Sequence, residues 1–91
     1  MEKKVWNIKF SPEGEKEWDR LDSLIQKKVI NFLYKRIETG EDPRLFAKPL
    51  SGNFKHFWHY RIGDYRLICQ FRQQVMTIFV VRVAHRSEVY D

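Results

Sequence analysis

The side chains best suited to chemistry in this 91-residue sequence are three histidines, His56, His59 and His85, and the arginines of its second half. Histidine passes protons near neutral pH, and arginine offers a planar fork of donors that fits a phosphate. His59 and Arg61 stand two apart, so on a strand they share a face. His56, three residues before His59, would point to the other face of a strand, which argues against a metal pair between them and leaves His56 structural or solvent-facing. Gly63-Asp64 is a tight-turn dipeptide. A two-residue loop there sets Ile62 opposite Tyr65, Arg61 opposite Arg66, Tyr60 opposite Leu67 and His59 opposite Ile68. One face of the hairpin then carries Trp58, Tyr60, Ile62, Tyr65, Leu67, Cys69 and Phe71, and the other carries His59, Arg61, Arg66, Gln70 and Arg72. Two arginines directly across a strand pair repel one another. An anion between them relieves that cost, because both forks can donate to one phosphate. The alternative is that both splay into water, where screening makes the repulsion cheap.

The end of the chain adds His85, Arg86 and Tyr90 just past an apolar strand. Functional groups are often mounted at such a place, on a rigid support. Tyr90 would stack on a base or donate from its hydroxyl; the other reading is a frayed tail.

Charge points the same way. Lysine and arginine number 17 against 12 acidic residues, for a net charge of +5. Residues 1–45 hold ten basic and nine acidic groups, whereas 46–91 hold seven and three, with five arginines to two lysines. A polyanion is the expected partner, with Lys48, Lys55, Arg72, Arg82 and Arg86 as backbone contacts beside Arg61 and Arg66; on charge alone the other reading is a merely solvated basic surface. The lone cysteine, Cys69, excludes an internal disulfide and a cysteine-rich zinc site, and its place on the apolar face makes it a packing residue. No stretch has the length of a membrane span, and the N-terminus leads into a strand pattern rather than a signal peptide, so a cytoplasmic protein without membrane, metal or cofactor is expected.

These residues need a scaffold, and the periodicities supply one. Val5 to Phe10 alternates as a strand. Ser11-Pro12 opens a helix, with Trp18 and Leu21 as its buried stripe. Asp22-Ser23 caps a longer one, where Ile25, Val29, Phe32, Leu33 and Ile37 recur at helical spacing and Gly40 ends the run. An irregular stretch, 41–53, precedes three strands expected over 54–62, 65–72 and 75–83. The last is apolar enough to lie centrally, buried on both sides, flanked by the preceding strand and the N-terminal one. The expected fold is α+β: one domain over 1–91, a strand, a helical hairpin, then an antiparallel three-strand meander, with the helices on one face of the sheet.

Several of these segments together resemble the RelE/ParE toxin superfamily. Gly63-Asp64-Tyr65-Arg66-Leu67-Ile68 resembles its "G-x-YRL(V/I)" signature, and Val83-Ala84-His85-Arg86-Ser87-Glu88-Val89-Tyr90 resembles the RelE-type close. Phe10-Ser11-Pro12 and Lys48-Pro49-Leu50-Ser51-Gly52 also fit, so the likeness spans nearly the whole chain. The resemblance implies a small sheet with a basic concave face. It further implies the toxin of a type II toxin–antitoxin pair, a ribosome-dependent, metal-independent endoribonuclease that cuts mRNA in the A site. Its partners would be the ribosome, mRNA and a cognate antitoxin, in a complex that binds operator DNA. Arg66 matches the family's strand arginine at the scissile phosphate, His59 and Arg61 fall where a RelE toxin has two lysines, His85 falls near a catalytic arginine or histidine, and Tyr90 matches a stacking tyrosine. Arg61 is a poor base because its pKa is too high, so proton removal falls to His59 or His85, or is replaced by electrostatics. The alternatives are a ParE-like inhibitor of DNA gyrase, or an inactive relative that binds RNA or antitoxin only.

Overall fold

A computed structural model describes residues 6–88, so Tyr90 and Val5 lie outside the described residues. Strand β1 (Asn7–Phe10) leads to helices α1 (Pro12–Asp19) and α2 (Ser23–Glu38), a two-residue strand β2 (Lys48–Pro49), and then β3 (Trp58–Ile62), β4 (Tyr65–Arg72) and β5 (Thr77–His85). The five strands form one sheet in the order β1-β5-β4-β3-β2, with β1 parallel to β5 and the other pairs antiparallel. The expected α+β plan is therefore observed, with β5 between β1 and β4.

Local chemistry accounts for the element ends. The Ser11 hydroxyl accepts from the Gly14 N–H at 3.0 Å, and Pro12 occupies the first turn of α1. The Asp22 carboxylate accepts from the Leu24 N–H at 3.0 Å to start α2. Past the end of α2, Gly40 takes the left-handed conformation, φ +76°, that glycine adopts without strain. Val29, Leu33 and Ile37 are the buried stripe of α2, packed with Tyr60, Leu67, Cys69, Ile78 and Val80 of the sheet. Tyr60 is wholly buried, and its hydroxyl donates to the Pro43 carbonyl at 2.7 Å. That bond ties β3 to the segment between α2 and β2.

Three expectations need correction. The strand expected from residue 54 begins at Trp58, because Gly52–Phe54 forms a 3-10 turn, with the Phe54 N–H donating to the Ser51 carbonyl at 3.3 Å, and the Phe57 N–H then donates to the Phe54 carbonyl at 2.9 Å. The two residues left between the strands expected over 65–72 and 75–83 do not form a tight hairpin loop; Gln73–Val75 is a 3-10 turn with Met76 left-handed at φ 46°, and β5 starts only at Thr77. Finally, β5 is not buried on both sides along its length, since Arg82 is exposed. Its missing alternation has another cause. Ile68 pairs with Arg82 but Cys69 pairs with Val80, so Val81 is an extra residue, a β-bulge. Before the bulge the even residues Ile78 and Val80 face the core; after it Val83 does.

Beyond Phe10, β1 leaves the sheet and α1 takes over the vacated edge of β5. The Ser11 N–H donates to the Val80 carbonyl at 2.9 Å and its hydroxyl to the Val81 carbonyl at 3.2 Å. The Glu17 carboxylate accepts from the Val83 N–H at 3.0 Å. A Cβ on Gly14 would stand 2.5 Å from the Val80 carbonyl oxygen, so only glycine lets the helix lie this close.

Candidate nucleic-acid interface

The face of the sheet turned away from α2 forms an open groove of about 990 Å³. His59, Arg61, Ile68, Arg82 and Ala84 line its floor; Ser11, Pro12 and Glu13 at the start of α1 make one wall, and residues 48–51 with Phe54 and Phe57 make the other. A volume of this order accommodates a nucleotide-sized ligand.

The hairpin register derived from the sequence is the one observed: Arg61 pairs with Arg66 and His59 with Ile68. Lys48 of β2 pairs with His59 and so joins the same face. The two arginines differ. Arg61 is exposed and makes no hydrogen bond or ion pair among the described residues. Arg66 is only 7% exposed, and among the described residues its guanidinium makes one hydrogen bond, to the adjacent Tyr65 carbonyl at 3.3 Å. No carboxylate among the described residues pairs with it. Its neighbour on β5 is Ala84, whose methyl does not compete for the space.

The other sequence-derived candidates are dispersed. Arg82 lies in the groove but is held by Glu17, with contacts of 2.9 and 3.1 Å. Burial pushes the Glu17 carboxyl up, but the hydrogen bonds from Arg82 and the Val83 N–H outweigh it and keep the group below its ordinary value of 4.5. Arg72 stands six residues along β4 from Arg66, about 20 Å at roughly 3.3 Å per residue, and lies over the Phe79 ring at 4.1 Å. Lys55 is exposed on the loop after the Gly52–Phe54 turn. Arg86 makes an exposed ion pair with Asp64 at 3.7 Å, and its N–H donates to the Asp64 carbonyl at 2.7 Å.

His85 is the largest departure. It pairs with Tyr65, and the two rings meet edge to face at 5.5 Å. That puts it on the opposite face from Arg61, Arg66 and His59, one row along at the end of the sheet. The bulge at Val81 is the cause, since uninterrupted alternation would have put it on the face that carries Arg66. Its Nδ1 accepts from the Ser87 N–H at 3.2 Å and lies 2.9 Å from the Ser87 hydroxyl.

Cys69 is fully buried and burial pushes its thiol up to about 12, in keeping with a packing role. Among the described residues, no group of three or more His, Cys, Asp or Glu is placed to hold a metal ion. Nor is any helix among them long and apolar enough to cross a membrane. Sequence reasoning missed the groove walls and the Glu17 clamp, which joins residues 65 apart and leaves no local signal.

The comparison with known proteins decides the family. A family model described as "ParE toxin of type II toxin-antitoxin system, parDE" matches residues 8–90. This chain belongs to the RelE/ParE toxin superfamily. It is 31% identical to the mRNA interferase toxin RelE of Escherichia coli over 92% of this chain and 88% of that one. It is 24% identical to toxin RelG of Mycobacterium tuberculosis over 93% and 95%. Among solved structures, the M. tuberculosis toxin–antitoxin complex RelBE2 matches with a TM-score of 0.77 at 23% identity, covering 91% of this chain and 100% of that chain. The isolated E. coli RelE toxin matches at 0.69 and 20% identity, covering 89% and 84%. These structures share the open sheet and paired helices described above, while the family model and the sequence relatives make the chain a type II toxin of the RelE/ParE superfamily.

Proposed function

We propose that this toxin is an endoribonuclease that cuts mRNA in the ribosomal A site. The observation that carries the reading is the cross-strand pair Arg61/Arg66, set beside Lys48 and His59 on one open face with no carboxylate partner for either arginine among the described residues. A like-charged pair, one member of it buried, is costly to keep in a sheet, and a phosphodiester between the two forks removes the cost.

In the reaction the ribose 2′-oxygen forms a bond to its adjacent phosphorus and the bond to the 5′-oxygen breaks, leaving a 2′,3′-cyclic phosphate and a 5′-hydroxyl. Arg61 is the exposed first contact; Arg66, with most of its donors unspent, takes the charge that builds on the phosphorane-like transition state. His59, on the same face, is the acceptor for the 2′-hydroxyl proton. His85 faces the other side of the sheet, so the departing 5′-oxygen takes its proton from water. The family resemblance assigns base stacking to Tyr90. A cognate antitoxin follows from the relatives, several of which are known as toxin–antitoxin complexes.

The test is a translation reaction programmed with a defined mRNA and mapped by primer extension. Wild type is expected to cut within A-site codons, and Arg66→Ala to lose about a hundredfold or more of that rate. Uncut message and unaffected translation with folded wild type would sink the reading. A second reading, a ParE-like inhibitor of DNA gyrase, is favoured by the family model that matches. Inhibition of supercoiling without cleavage would establish it instead.

A further inference from the structure

We propose that the cleft between α2 and the free end of β3 is a second phosphate site, which carries the backbone of the same RNA strand onward from the open face. The inference rests on the RNA reading above for its ligand, and on different residues for its argument.

Strand β2 pairs only with Trp58 and His59, so from Tyr60 to Ile62 the outer edge of β3 has no strand partner among the described residues. Arg61 stands on that edge and lines two concave surfaces, the open-face groove and a smaller cleft of about 340 Å³ beside α2. Lys28, Asn31 and Lys35 enter the cleft from one flank of the helix, at the spacing that brings side chains together on a helix surface. Arg36 completes it, its guanidinium fixed 3.7 Å over the Phe32 ring and donating to the Phe32 carbonyl at 3.3 Å. The turn makes room for the nearest ammonium: a Cβ on Gly63, at φ +58°, would stand 3.2 Å from the Lys28 Nζ.

Four cations therefore line one small concavity, and no carboxylate lines it. Lys28, Lys35 and Arg61 make no ion pair among the described residues. Scattered surface lysines would be explained by solvation alone; a concave set that shares Arg61 with the candidate reaction face is not. Successive phosphates of one strand fit the arrangement, one near Arg61 and Arg66 and the next around the edge, between Lys28 and Lys35.

The experiment measures binding of fluorescein-labelled oligouridylate by anisotropy across a salt series. It compares wild type, Lys28→Ala/Lys35→Ala, Lys28→Arg/Lys35→Arg, and the charge-matched control Lys16→Ala/Lys27→Ala, whose exposed lysines lie outside the cleft. The first variant is expected to flatten the log–log salt slope by about 0.7 per lost phosphate contact, as for single strands. The arginine variant and the control should keep more of the wild-type slope. Equal slopes in the two alanine variants would mean that only net charge matters, and would overturn the proposal, as would absence of binding by wild type. The two readings separate cleanly. A slope difference without ribosomal cleavage removes the ribonuclease and leaves the phosphate site; cleavage with equal slopes does the reverse.

Discussion

Arg66 and His85 show how much a single residue's surroundings decide. An arginine that is 7% exposed, its guanidinium held by one main-chain carbonyl among the described residues, gets little back for the solvation it loses. If it is there to meet a phosphate, the free protein should be no less stable without its charge. Arg66→Met keeps the chain length and removes the cation. Its unfolding free energy, from urea titration, is expected to stay level or rise, by on the order of 1 kcal/mol, while cleavage is lost. A fall of several kcal/mol would show instead that Arg66 is a structural strut. The position of Arg66 across from Arg61 could be read from the sequence, because Gly63-Asp64 pins the turn and apolar residues alternate on both sides of it. His85 could not be placed that way. Its face depends on one extra residue, Val81, in a run of valines where an added position leaves the hydropathy pattern looking unbroken.

At the scale of elements, α1 does more than cover the sheet. It replaces β1 along the edge of β5 and holds the bulged segment through Ser11 and Glu17, and so sets where Arg82 and Ala84 stand in the groove. The caps and the helical stripe that define α1 and α2 were legible, since Ser11-Pro12 and Asp22 act within their own turns. The edge clamp was not, because it is a contact between distant segments. Glu17 makes it sensitive to acid. Its carboxyl is held below the ordinary value, so the stability it contributes is present above the unfolded-state pKa and is lost as pH falls through the folded one. Thermal unfolding followed from pH 7 downward should therefore decline more steeply below about 4.5 in wild type than in Glu17→Gln. Matching profiles would mean that the clamp contributes nothing to the fold, and that α1 is held by Trp18 against Phe10 and by the close fit at Gly14.

For the molecule as a whole, the charge count by halves concealed part of the pattern. The first half is nearly balanced, but four of its nine acids sit on α1, while α2 carries Lys27, Lys28, Lys35 and Arg36 against Glu38 alone. Only the fold brings that helix flank around the edge of β3 to meet the arginines of the second half. Both grooves rest on one sheet, whose centre holds Cys69, fully buried between β3 and β5. The thiol therefore reports whether the sheet opens as one unit. Burial pushes it up to about 12, so attack on the native thiol through a local fluctuation would speed up steadily as pH rises past 9 towards that value. Attack through global opening instead meets a thiol with its free pKa of about 8.5, and the rate levels off above it. A rigid, two-sided scaffold predicts the second behaviour, with labelling by an aromatic disulfide reagent rising with urea along the slope of equilibrium unfolding. Labelling that is insensitive to urea, and still climbing at high pH, would instead reveal a sheet that breathes at β4 while the rest stays folded. The Arg61/Arg66 pair would then be assembled only part of the time.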